Sequence, residues 1–368
     1  LTASLRLAVD ARDLATDQRG IGTYARAVLA RYAARDDIEL TLLVRDWRPA
    51  RALPTLCAAI GADARRVRAA RRVPRDVDVV WHPWNGTFFD GRAPAVATIH
   101  DVVPFAFPAT DRKRRASQQG PIRRSAATAR AIVCDSQFTV GEVRRCLGVA
   151  ADRLHRVALG VDRAFAPGPL DALPACLVGR RYLLYVGAHD AHKNVATLAE
   201  AYRSAFPDRT VALVFTRANP GVPEAEVIEH ADLPTLIALY RGSALVAVPS
   251  IYEGFGLPLL EALACGAPVL ASRAASLPEV GGDAAAYVDE PANAAAWASG
   301  LARLAGDDAA RARMSARGPG WAAQFSWDRC ADRTLEILRS TAFGVPANQR
   351  CALPRGRMNA VEDEERPA

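Results

Sequence analysis

Short apolar runs separated by helix-length spacers recur along this chain, and that rhythm most limits what it can fold into. Leu5–Val9 is strand-like, a glycine-containing turn follows, and an amphipathic helix runs from about Ile21 to Ala34. Further apolar runs stand at 38–44, 78–81, 95–99 and 131–134, with helical stretches between them. Strands alternating with helix-length spacers predict a parallel sheet covered by helices on both faces. The segment Phe165-Ala-Pro-Gly-Pro-Leu-Asp-Ala-Leu-Pro174 breaks the pattern and is the expected linker. The rhythm then restarts with a strand at 182–186, a helix from Val195 to about Ser204, strands at 210–215, 244–248 and 268–271, and helices at 234–240 and 258–264. A last helix, about Trp327–Arg339, follows the N-cap candidate Ser326. The expectation is therefore an α/β chain of two doubly wound, Rossmann-like domains over 1–164 and 181–325, joined by a linker at 165–180. A C-terminal helix at 326–340 and a disordered tail at 341–368 complete it. Ligands of such domains bind at the carboxyl ends of the strands, here in the cleft between the two.

Composition narrows the class. Half of the 368 residues are hydrophobic and 24% are charged, the balance of a globular protein with real cores. No apolar run approaches the length that spans a bilayer, and Leu1–Ala11 reads as an alternating strand rather than a leader, so no secretory signal is expected. Cysteines 57, 134, 146, 176, 265, 330 and 351 lie far apart without CxxC or CxxH spacing. That pattern argues against a disulfide framework and a zinc site, and suits a reducing cytoplasm. The net charge of +7 comes almost wholly from arginine; lysine occurs only at Lys113 and Lys193.

The most informative segment is Pro249-Ser-Ile-Tyr-Glu-Gly-Phe-Gly-Leu-Pro-Leu-Leu-Glu-Ala-Leu-Ala-Cys-Gly266. A buried strand runs into a loop holding Gly254, Phe255 and Gly256, and Pro258 stands where a helix would begin, after Leu257. Unpaired N–H groups at such a helix start are a natural seat for an anionic group. Glu253 stands just before the glycines and Glu261 one turn inside the helix. Carboxylates repel a diphosphate, so each is expected to face hydroxyls: Glu261 a ribose diol, Glu253 a sugar. An incidental turn with a capping Glu accounts for one such carboxylate but poorly for two.

Lys193 opens the helix after strand 182–186, where an ammonium opposes the helix dipole unless an anion sits there too. Gly20-Ile-Gly22 follows the first strand; it is either a tight turn packing helix on strand or a ligand-approach loop, and it lacks the third glycine of a dinucleotide fingerprint. His100-Asp101 ends strand 95–99 at the mouth of the cleft, where the His is either hydrogen-bonded structure or a residue facing a ligand, with Asp101 expected to orient it or to cap a loop. Asp76-Val-Asp78 precedes its apolar run, so it reads as a loop entering a strand rather than a metal-binding DxD, and no metal site is expected.

These segments together resemble glycosyltransferase family 4, a group of retaining enzymes with the two-domain fold called GT-B. The resemblance rests on Glu253-x7-Glu261, Leu5–Arg12 with Gly20-Ile-Gly-Thr-Tyr24, Ala97–Pro104, and Ile132-Val-Cys-Asp-Ser136. It also covers Leu183–Gly187, His192-Lys-Asn194 and Ser276-Leu-Pro-Glu279. Within the family the chain is most similar to bacterial mannosyltransferases of surface-polysaccharide and O-antigen assembly. The resemblance implies an acceptor-side N-terminal domain and a C-terminal domain for a nucleotide diphosphate sugar, GDP-mannose above others, as co-substrate without further cofactor. It implies His100, Lys193 and Glu253 as catalytic residues. For the donor it implies Gly22, His192, Lys193, Glu253, Gly254, Phe255, Gly256, Leu257 and Glu261. Many relatives carry an Arg after the strand-ending glycine; here that position is Ala188, so His192 or Arg217 is expected to supply the second cation.

Two arginine clusters, 65–75 and 112–124 (the latter including Lys113), lie in the N-terminal half. Solvated faces are the default reading, and the clusters also suit an anionic inner-membrane surface or a polyprenyl-linked saccharide acceptor. No aromatic platform accompanies them, so nucleic acid is not an expected partner. The expected activity is metal-independent, retaining transfer of a hexose to a saccharide or lipid-linked saccharide, in the cytoplasm or at the inner face of the membrane. The alternatives are a non-catalytic nucleotide-sugar-binding protein of the same fold, or a nucleotide-sugar epimerase.

Overall fold

The computed structural model describes residues 4–217 and 221–344. Seven strands form the first sheet: β1 (Leu5–Asp10), β2 (Ile38–Leu43), β3 (Val67–Ala70), β4 (Val79–His82), β5 (Ala95–Ile99), β6 (Ala131–Cys134) and β7 (Leu154–Arg156). Six form the second: β8 (Tyr182–Tyr185), β9 (Ala212–Phe215), β10 (Glu226–Val227), β11 (Leu245–Val248), β12 (Val269–Ser272) and β13 (Ala286–Val288). Their spatial orders are β3-β2-β1-β4-β5-β6-β7 and β10-β9-β8-β11-β12-β13. Every pair is parallel. The order reverses direction between β1 and β4 in one sheet and between β8 and β11 in the other, and crevices open at such switch points.

The helices of the first half are α1 (Gly20–Ala33), α2 (Pro49–Ile60), α3 (Val103–Ala106), α4 (Arg112–Thr128) and α5 (Gln137–Leu147). Those of the second are α6 (Val195–Ala205), α7 (Leu233–Gly242), α8 (Leu257–Ala264), α9 (Leu277–Gly281), α10 (Ala294–Gly306), α11 (Asp308–Ala322) and α12 (Trp327–Phe343). Central strands such as β4, β6, β8 and β11 are buried at every position. That is why they read as continuous apolar runs rather than alternating ones. The short strands β3, β7, β10 and β13, which give no clear apolar run, are the four sheet edges. Their sequences (Val-Arg-Ala-Ala, Leu-His-Arg, Glu-Val, Ala-Tyr-Val) are only partly buried. Charge on such edges discourages pairing with another chain.

The last helix crosses back to the first half. Capped by the Ser326 hydroxyl, which accepts from the Asp328 N–H, α12 packs on α1 and on β4–β6. It buries Trp327, Leu335, Ile337 and Leu338, each large side chain contributing roughly 1.5–3 kcal/mol. The Tyr32 hydroxyl donates to the Ala331 carbonyl at 2.8 Å. The helix runs past the expected end at 340 to Phe343, because Ser340-Thr-Ala-Phe remains helix-competent until left-handed Gly344 stops it. Residues 345–368, the rest of the expected tail, lie outside the described residues.

Several contacts close the two halves on each other. Tyr252, from the second half, is buried in the apolar cluster of β5, β6 and α5. The Gly254 carbonyl accepts from the Ser136 and Thr139 hydroxyls at 2.7 and 3.1 Å. Glu279 accepts from the Gln137 N–H and pairs with Arg156 at 2.6 Å. These bonds hold the start of α5 against the loop that follows β11.

Candidate active site

The loops leaving β8 and β11 flank the switch point of the second sheet, and three contacts join them. The Asn194 amide donates to the Pro249 carbonyl at 3.2 Å, and the Ile251 N–H donates to the His192 carbonyl at 2.9 Å. The third contact is the central one: the Lys193 ammonium donates to Glu253 Oε1 at 2.6 Å. Both side chains are largely buried, 21% and 13% exposed. The Ser250 hydroxyl donates to the same oxygen at 2.8 Å. Glu253 Oε2 therefore has no protein donor among the described residues. Lys193 lies in a one-turn 3-10 segment, and Asn194, in the left-handed region, separates it from α6. Asn194 stands in the segment His192-Lys-Asn194 but was given no role from the sequence; a non-glycine at positive φ, held by its own amide, is the signal that structure adds.

Two glycines after Glu253 are required by position. A Cβ on Gly254 would stand 1.8 Å from the His100 carbonyl oxygen, so the loop reaches the first half only with glycine there. Gly256 adopts φ +102 as it starts α8, a conformation that L side chains avoid. The N–H groups of Gly254, Phe255, Gly256 and Leu257 make no protein hydrogen bond among the described residues. They form a donor row at the helix start. Across the seam, Gly20 at the start of α1 stands opposite Leu257, whose Cδ1 lies 3.1 Å from where a Cβ would be. Gly22 lies in the same first turn against the Asp17 carbonyl.

Glu261 lies on half-buried α8, and the buried Tyr240 hydroxyl donates to its Oε2 at 2.9 Å. Burial pushes its carboxyl up to about 7, against the lowering effect of the Tyr240 bond. Oε1 has no protein partner among the described residues. Lys193, Glu253, the Gly254–Leu257 row and Glu261 thus follow the carboxyl ends of the central strands β8 and β11.

His100 sits differently from the expectation. Its Nδ1 is 2.7 Å from Asp135 Oδ2 and its Nε2 is 2.9 Å from the Pro83 carbonyl, with the ring buried. Burial alone lowers an imidazole, but Asp135 and the carbonyl outweigh it and raise this one. With Asp135 at Nδ1 and the Pro83 carbonyl at Nε2, both ring nitrogens are engaged and neither is offered to the cleft. Asp101 does not orient it; Asp101 caps the loop by accepting from the Val103 N–H at 2.9 Å. The orienting carboxylate is Asp135, at the end of the neighbouring strand β6, a pairing that only the β5–β6 register reveals.

The replacement for the missing cation at Ala188 also divides. Burial and the Lys193 charge lower the His192 imidazole, which works against its serving as the second cation. The Arg217 guanidinium lies close enough to Tyr185 and His189 to act on both. Asp78 of the Asp76-Val-Asp78 stretch is structural, accepting from the Arg6 N–H and guanidinium at 2.8 and 2.6 Å. Among the described residues no three His, Cys, Asp or Glu side chains converge in a metal-binding group, and no helix is long and apolar enough to cross a membrane.

Comparison with known proteins agrees with this geometry. Residues 19–165 match the model of Glycosyltransferase Family 4, and residues 223–321 that of Glycosyl transferases group 1. The O-antigen chain mannosyltransferase B of Escherichia coli is 30% identical over 270 residues, 67% of this chain and 70% of that protein. A D-inositol 3-phosphate glycosyltransferase of Salinispora arenicola is 42% identical over 149 residues, 39% of this chain and 33% of the relative. Among solved structures, Anabaena HepE in complex with UDP and glucose has a TM-score of 0.70 at 15% identity, covering 91% of this chain and 100% of that one. WaaG, a glycosyltransferase involved in lipopolysaccharide biosynthesis, has a TM-score of 0.70 at 13% identity, covering 91% and 99%. The fold is GT-B, and the chain belongs to glycosyltransferase family 4.

Proposed function

We propose that this glycosyltransferase moves a hexose, mannose by preference, from a nucleoside diphosphate sugar such as GDP-mannose to a saccharide or polyprenyl-linked saccharide, with retention and without a metal. The observation that carries the reading is the Lys193–Glu253 pair at the switch point of the second sheet, with Glu253 Oε2 left open. The name of the Escherichia coli relative supports mannose and an O-antigen acceptor; the UDP and glucose held by HepE support a nucleotide-linked donor.

In this reading the donor diphosphate takes the place of Glu253 as the partner of Lys193 and lies against the N–H groups of Gly254–Leu257. Glu253 then accepts from hydroxyls of the sugar, and Glu261 through Oε1 from the ribose. The anomeric carbon–oxygen bond breaks with its electron pair going to the leaving phosphate. The acceptor oxygen attacks on the same face and gives its proton to that phosphate. Growing negative charge is stabilised by the ammonium and by fixed N–H dipoles that need no reorganisation, a large source of rate enhancement. His100, closed in by Asp135 and Pro83, acts as a positioning residue: its carbonyl abuts Gly254 and accepts from Thr139. Gly22 and Gly20 bring α1 up to the donor from across the seam. Exposed arginines of α4 support work at an anionic inner-membrane face.

The test is transfer from a panel of GDP-, UDP- and ADP-sugars by the wild type, Lys193→Ala and Glu253→Gln, with and without EDTA. The reading expects one preferred donor, a loss of about a hundredfold or more in each variant, and no effect of EDTA. Donor binding without transfer to any acceptor would favour a non-catalytic binding protein instead.

A further inference from the structure

We infer that a second saccharide pocket lies in the seam between the halves, beside the proposed donor site, and holds sugar units of an oligosaccharide acceptor. It rests on the transfer reading above and adds the acceptor's length to it. The seam contains an open, shallow depression of about 430 Å³. The end of α3 supplies Phe107, α5 supplies Phe138, Glu142 and Arg145, and the loop after β11 supplies Tyr252.

Three rings form its walls. Phe107 and Phe138 each meet Tyr252 edge-on, with centroids 5.9 and 5.1 Å apart. Phe107 is 38% exposed, one of few large apolar side chains left in solvent among the described residues. A two-pronged ion pair forms the rim: Arg145 Nε and Nη2 donate to the two Glu142 oxygens at 2.8 Å each. The Tyr252 hydroxyl donates to Glu142 Oε2 at 3.1 Å.

A sugar ring has an apolar C–H face and a rim of hydroxyls. The aromatic walls suit the first, and a carboxylate–guanidinium fork suits the second, accepting from some hydroxyls and donating to others. A hydrocarbon tail would desolvate the fork without replacing its hydrogen bonds with water. An anion would meet Glu142 and a cation Arg145, so the fork favours a neutral polyol. The pocket lies beside the proposed donor site: the Phe107 ring is 5.8 Å from that of His192, next to Lys193, and Tyr252 precedes Glu253. Both halves contribute walls, so an occupant ties them together.

The experiment uses α-linked manno-oligosaccharides of one to four sugars on the full chain, for wild type, Phe107→Ala and Arg145→Ala. Thermal melting checks that both variants fold. Binding without donor is followed by saturation-transfer NMR, and transfer by product formation from GDP-mannose. The pocket predicts that wild type binds the four-sugar ligand more tightly than the single sugar. Each variant weakens the longer ligand about tenfold and raises its KM alike, while kcat and the single-sugar KM stay unchanged. Equal binding of long and short ligands, no oligosaccharide binding by the wild type, or equal effects on both lengths would overturn it. Phe107-dependent binding with no transfer from any donor would remove the transfer reading and keep the pocket. Efficient transfer indifferent to Phe107 and Arg145 would do the reverse.

Discussion

Glu253→Gln separates two effects that most active-site substitutions mix. In the free protein the Glu253 carboxylate occupies the ammonium that the donor's diphosphate is to use, at 2.6 Å. Removing its charge leaves Lys193 unpaired and takes a negative charge from beside the phosphates. A unit charge roughly 5 Å from another gives about 3 kcal/mol at an effective dielectric near 20. Partial exposure of the pair, 21% and 13%, and salt reduce this to about 1–2 kcal/mol. GDP without a sugar should therefore bind the variant about five- to thirtyfold more tightly. Transfer should fall, because the carboxylate bond to the sugar, worth about 1.5–3 kcal/mol, is lost where the sugar must be held. Calorimetry with GDP and steady-state transfer with GDP-mannose read the two quantities on one preparation. Weaker GDP binding in Glu253→Gln, or undiminished turnover, would refute the competition between carboxylate and diphosphate.

Four further outcomes follow from other residues. Glu261 binds its proton more tightly folded (about 7) than in an unfolded chain, so its contribution to stability falls as pH rises from about 4.5 towards 7. If its ionised form holds the ribose, donor affinity rises over the same range, by at most about tenfold per pH unit, and Glu261→Gln flattens both profiles. Gly254→Ala forces a Cβ to 1.8 Å from a backbone oxygen and should cost about 2 kcal/mol or more by denaturant melting. Gly320→Ala, in α11 with open space around it, should gain about 0.5–1 kcal/mol in the same assay. His100→Ala leaves Asp135 buried and unpaired and should cost about 3–5 kcal/mol. Because the His100 pKa is raised on folding, its contribution is complete below about 6.5 and is lost as pH climbs through the folded value, a decline the variant should lack.

The central strands were legible because a strand buried on both faces is written as an uninterrupted apolar run, as in Tyr182-Leu-Leu-Tyr185, and α1, α6, α7, α8 and α12 were placed with them, whereas α10 and α11 were not read. The edges were not, because Val67-Arg-Ala-Ala70 and Leu154-His-Arg156 gain their strand state from a neighbour rather than from their own pattern. The same division runs through the site. Glu253, the glycines and Glu261 share one strand–loop–helix unit, so spacing alone puts them together. The Lys193–Glu253 bond joins residues 60 positions apart and depends on β8 lying beside β11, a fact of sheet order. His100 was expected at the cleft because the run 131–134 and the segment Ile132–Ser136 were visible but their pairing with its own strand was not; that register brings Asp135 to the ring and turns it inward.

Amide hydrogen exchange, with and without a nucleoside diphosphate sugar, tests the location of the donor most directly. The account predicts slowed exchange in the loop 187–194 and at the amides of Gly254–Leu257, where N–H groups free of protein partners among the described residues acquire phosphate oxygens. Protection confined to the loops after β1 and β4, with 254–257 unchanged, would contradict it.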